Sequence, residues 1–167
     1  MIIQQKKGNL NSIAINNRSI DYIQLEWYET SKRILHKRTQ SGIAVSLKFL
    51  QENPALTEGD VLHEDDNSII AVTILSCEAI VIKPASMFEM ASICYEIGNK
   101  HLPLFYENDE LLVPFEKPLF RLLTAQGYVV RQDIVKLLRP LKTTVSPHAH
   151  TGSSLFSKIM QLTNSAE

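Results

Sequence analysis

From Cys77 to Leu138, two stretches with helical spacing alternate with four short apolar runs, and this order restricts the fold more than any other feature of the chain. "CEAIVIKP" (Cys77–Pro84) reads as a strand ended by proline, which has no amide hydrogen to give to a ladder. Ser86 and Glu89 follow in the S-x-x-E spacing of a capping box, which opens a helix. Met87, Ala91, Cys94 and Ile97 recur at three to four residues and give that helix an apolar face, with Gly98 as its left-handed stop. "LPLFY" (Leu102–Tyr106) and "ELLVP" (Glu110–Pro114) flank Asn108-Asp109, a pair suited to a hairpin turn. Pro118 suits the first turn of a second helix, whose inner face is Leu119, Leu122 and Leu123 and whose stop is Gly127. "RQDIVKLL" (Arg131–Leu138) is a last strand. The order β-α-β-β-α-β is the ferredoxin-like arrangement, with two helices over one face of a four-stranded antiparallel sheet.

The first 75 or so residues have a different rhythm. "SIDYIQLEW" (Ser19–Trp27), "KRILHKR" (Lys32–Arg38), "GIAVSLKF" (Gly42–Phe49), "DVLHE" (Asp60–Glu64) and "SIIAVTIL" (Ser68–Leu75) read as short strands separated by polar turns. Strands this short and close fit a small barrel or sandwich. The expected class is therefore α+β: a small all-β domain (1–75), then a ferredoxin-like domain (76–142). A tail (143–167) follows, containing "TTVSPHAHTGSS" and a short apolar stretch, Leu155–Leu162, that suits a terminal helix.

Charge and motif content exclude several functions. Lys and Arg total 17 against 18 Asp and Glu, a net charge of −1, so no overall basic field draws in nucleic acid or an anionic membrane. No run approaches the ~20 apolar residues of a membrane span, and "MIIQQKKGNL" lacks the order of a signal peptide. The expected location is the cytoplasm. Cys77 and Cys94 form no C-x-x-C and read as reduced, buried thiols. The chain has no G-x-S-x-G, H-E-x-x-H, P-loop or G-x-G-x-x-G, so catalysis has little support. Cys94 with His101 is a Cys/His pair in form only, because Cys94 faces the helix core.

Five histidines are the metal-ligating candidates. His148 and His150 form H-x-H; on an extended chain both side chains point to one side and can turn toward one ion. His101 follows a helix C-terminus, where the macrodipole favours a cation. His36 and His63 read as surface residues without a role. "HEDDN" (His63–Asn67) offers carboxylates to a hard cation but reads more simply as a polar turn.

Several segments together resemble one family, the UreE-type urease accessory proteins, which are nickel metallochaperones. They are "DYIQLEWYETSKR" (Asp21–Arg33), "EGDVLHEDDNSIIAV" (Glu58–Val72), "ICYEIGNKHLPLFY" (Ile93–Tyr106) with its Gly-Asn-basic-His core, and "PFEKPLFRLL" (Pro114–Leu123). The resemblance implies a peptide-binding β domain, a ferredoxin-like metal-binding domain and a homodimer. It puts His101 at the two-fold axis, where two copies share one Ni(II), with His148 and His150 as the matching tail ligands; Zn(II) is the alternative ion for the same site. It names the urease apoprotein complex and its accessory GTPase as partners. Long histidine-rich tails of some relatives are absent here, so one ion per dimer is expected rather than bulk storage. The rival readings are a protein-interaction module that binds partner segments by strand addition and, with less support, a small enzyme acting on a phosphate or acyl group.

Overall fold

The computed structural model describes residues 1–50 and 54–141. The N-terminal half holds β1 (Ile2–Ile3), β2 (Gly8–Asn9), β3 (Ser19–Leu25), β4 (Ile34–Arg38), β5 (Ala44–Lys48), β6 (Asp60–Glu64) and β7 (Ser68–Ile74). The C-terminal half runs β8 (Ser76–Lys83), α1 (Met87–Asn99), β9 (Phe105–Glu107), β10 (Glu110–Pro114), α2 (Lys117–Ala125) and β11 (Val129–Lys136). The class is α+β, as the periodicities indicate.

In the first half, one sheet has the order β1-β5-β4 and a second the order β2-β6-β7-β3. Between them lies an apolar core that includes Ile23, Leu25, Val45, Leu47, Leu62, Val72 and Ile74. Two features escape periodicity. β1 and β2 have two residues each, too few to show an alternation. β3 and β7 pair in parallel over their full length, from Ser19↔Ser68 to Leu25↔Ile74, although 42 residues separate their ends. β3 also ends two residues before Trp27, because the chain turns at Trp27–Glu29, where the Glu26 amide donates to Glu29 Oε2 (3.0 Å).

The second half has the sheet order β11-β8-β10-β9, every neighbouring pair antiparallel. β8 shows why the pattern reads as a continuous apolar run rather than an alternation. Ile80 and Ile82 pack under Ile93 and Ile97 of α1 and Leu119 and Leu123 of α2. The intervening Ala79 and Val81 enter a second cluster on the other face, with Phe105, Leu112 and Leu137. A strand covered on both faces has no polar side. The β9–β10 hairpin turns at Asn108 (φ 50°) and Asp109 (φ 62°), both left-handed as a two-residue type I′ turn requires.

Trp27 joins the halves. It packs against the N-terminal core and also against the second face of the C-terminal sheet, edge-on to Phe105 at 5.6 Å between ring centres. A second link between the halves is polar: Lys136 Nζ of β11 meets Glu58 Oε1 at 2.8 Å. Burial raises the Glu58 carboxyl pKa, but hydrogen bonds from Lys136, the Ile74 amide and Thr73 outweigh it and hold the group below the usual carboxylate range.

Candidate metal centre at the end of helix α1

Helix α1 starts as its sequence indicates. Ser86 Oγ accepts from the Glu89 amide (3.1 Å), while Glu89 Oε2 accepts from the Ala85 amide (2.8 Å), one residue before the usual capping-box donor. Its inner face differs from the expected one. Ile93 and Ile97 are buried and Met90 and Cys94 pack against the same cluster. Met87 and Ala91, assigned inward from their spacing, are exposed. The helix carries two apolar stripes, and spacing alone does not say which meets the sheet. The outer one comprises Met87 (84% exposed), Phe88 (81%), Ala91 and Tyr95 (73%). Sequence reasoning missed it; Phe88 and Tyr95, seven residues apart and both aromatic, were its signal.

The end of α1 also departs from expectation. Gly98 is not the left-handed stop: the helix continues through it to Asn99, and Lys100 still has a right-handed conformation (φ −85°, ψ −1°). The left-handed residue is His101, at φ 54°. Its amide donates to the Gly98 carbonyl (3.0 Å), and the Leu102 amide donates to the Ile97 carbonyl (3.3 Å). That pair of bonds is a Schellman motif, which satisfies carbonyls the helix leaves open. His101 is exposed, and the carbonyl end of the helix macrodipole beside it favours positive charge. Lys100 is tied to Glu96 at 3.2 Å, one turn back.

The other candidates are elsewhere. His36 Nδ1 lies 2.9 Å from Ser46 Oγ across β4 and β5, and His63 Nε2 is 3.6 Å from Asp65 Oδ2. "HEDDN" is a polar turn: Asp65 accepts from the Asn67 amide, the Ser68 amide and the Ser68 hydroxyl. Cys94 is half-buried and burial pushes its thiol pKa up; burial, then the nearby Glu26 charge, does the same to Cys77, so neither is primed as a thiolate. His148, His150 and the apolar stretch Leu155–Leu162 lie outside the described residues. Among the described residues no three His, Cys, Asp or Glu side chains gather around one point. Among the described residues the helix end therefore offers a single imidazole, and a tight ion needs further ligands. No helix among the described residues is long and apolar enough to cross a membrane.

The fold and this helix end define an α+β protein whose ferredoxin-like half presents one exposed imidazole past the end of a helix that carries an exposed apolar stripe. The chain belongs to the UreE urease accessory protein family: the family's N-terminal domain matches residues 3–75 and its C-terminal domain residues 78–153. It is 48% identical over 163 residues to the urease accessory protein UreE of Flavobacterium johnsoniae, covering 97% of this chain and 99% of that one. Against the protein of the same name from Acetivibrio thermocellus the identity is 37%, over 92% of this chain and 99% of the relative. Against that of Helicobacter pylori it is 41%, over 89% and 90%. Family membership gives the chain a role in urease maturation, as an accessory protein.

Proposed function

We propose that the chain is a nickel metallochaperone: a homodimer that binds Ni(II) between its subunits and delivers it to the forming urease metallocentre. The observation that carries this reading is His101, exposed at the C-terminal end of α1, the helix whose outer face carries the exposed stripe of Met87, Phe88, Ala91 and Tyr95. An uncovered apolar surface of this kind marks an association site. Pairing two copies around an axis near the helix end doubles the single imidazole without a second motif. Imidazole suits Ni(II), and affinity for such a site follows the general first-row order, so Zn(II) competes for the same ligands.

His148 and His150 complete the site from the tail. The three parts of the chain then divide the work: 1–75 for partner segments, 76–142 for dimerisation and metal, 143–167 for the exchangeable ligands. The recipients are the urease apoprotein complex and its accessory GTPase, in the cytoplasm. Calorimetry on protein without a histidine tag tests the reading: His101→Ala abolishes the tight nickel site while far-ultraviolet circular dichroism is unchanged. Wild-type affinity and stoichiometry in that variant would remove His101 from the site.

A further inference from the structure

Both helices of the ferredoxin-like half end in the same motif, but with different residues at its one left-handed position. At α2 that residue is Gly127 (φ 84°): its amide donates to the Thr124 carbonyl (3.0 Å) and the Tyr128 amide to the Leu123 carbonyl (3.2 Å). At α1 the equivalent residue is His101 (φ 54°), with bonds of 3.0 and 3.3 Å to Gly98 and Ile97. Glycine is the usual occupant, because a side chain in this conformation crowds its own backbone. The chain thus uses glycine where only a stop is needed and histidine where the reading above requires an imidazole. Something must hold the disfavoured conformation. Leu102, the next residue, packs against the core cluster that contains Ile97, and an apolar anchor at this position commonly accompanies the motif. Tyr128, the equivalent residue at α2, packs against the same cluster, which also contains Leu123.

We propose that Leu102 is a positioning residue for His101: by closing the motif and anchoring in the core, it keeps residue 101 left-handed and so presents the imidazole in one direction. The inference rests on His101 being a nickel ligand. If the anchor is lost, residue 101 relaxes toward negative φ, and the ion must then restore the geometry when it binds. Preorganisation of this kind shows in affinity and leaves the number of ions unchanged.

The test uses full-length, untagged protein with Ni(II) as the probe. Leu102→Ala raises the nickel Kd about tenfold and Leu102→Met restores it, with stoichiometry unchanged in both. Val130→Ala, which trims the same core away from the helix end, lowers Tm without changing the Kd. His101→Gly, measured without metal, raises Tm by about 2–4 °C, the shift that relief of a left-handed side chain is expected to give in a protein of this size. Wild-type nickel affinity in Leu102→Ala overturns the proposal, as does an equal loss of affinity in Val130→Ala. A His101→Gly protein no more stable than wild type overturns the strained cap. A His101→Gly protein that is more stable and still binds nickel tightly overturns the nickel-ligand reading instead, with the cap itself intact.

Discussion

Phe88 is the sharpest place to probe the proposed dimer. In the monomer its ring is 81% exposed, between Met87 at 84% and the turn that carries Ala91, with Tyr95 at 73% farther along the same face. Burying a phenylalanine side chain contributes about 1.5–3 kcal/mol. A two-fold axis counts the residue twice, so covering both copies contributes about 3–6 kcal/mol to association. Interfaces return only part of such area sums, and the lower figure is the safer one. Phe88→Ala should therefore raise the dimer dissociation constant about 100-fold, since each ~1.4 kcal/mol is a factor of ten. Sedimentation equilibrium over a range of concentrations reads this directly, and circular dichroism should stay unchanged because the ring makes no core contact. The shared nickel site should weaken in parallel at concentrations where the variant is monomeric. A dissociation constant within threefold of wild type would place the subunit contact elsewhere.

Three further outcomes follow from named groups. Deprotonated imidazoles are the ligating form, so nickel affinity falls as pH drops through the histidine range near ~6.5; equal affinity by calorimetry at pH 8 and pH 5.5 would contradict histidine ligation. Deleting residues from Pro147 onward removes His148 and His150, and should weaken nickel binding while the sedimentation coefficient stays that of a dimer; a monomer would mean that the tail forms the interface. Glu58 has a lowered carboxyl pKa in the folded chain, so its stabilising effect is present above the ordinary carboxylate pKa of about 4.3 and disappears as pH falls through the folded-state value. Glu58→Gln should cost about 1 kcal/mol at pH 7 in urea unfolding, a figure kept small because the ion pair is partly exposed, and the gap should close near pH 3; a gap constant with pH would remove the charge from the contact between the two halves.

The second half was legible because its breaks are chemical. Pro84 ends a strand, Asn108 and Asp109 accept left-handed conformations, and Gly127 stops α2, so each boundary carries its own residue signature. α1 was harder. Its two apolar stripes satisfy the same helical spacing, and Met87 and Ala91 fall outward only because Met90, Ile93, Cys94 and Ile97 meet the sheet. Gly98 drew the stop forward by identity alone; the actual left-handed residue is a histidine, which local propensity does not select. Trp27 read as the end of a strand, and its role between the halves depends on Phe105, 78 residues later, a long-range contact that no local pattern carries. His101 was visible as an exposed residue past a helix end, but its fixed conformation and the exposed stripe on the preceding helix emerge only in the folded chain.

The most direct measurement is native mass spectrometry of untagged protein titrated with Ni(II), beside the His101→Ala variant. One tightly held nickel per two chains, on a dimer, and none in the variant is the expected result. One nickel per single chain, or an unchanged nickel-loaded dimer in His101→Ala, would contradict a site shared across the two-fold axis.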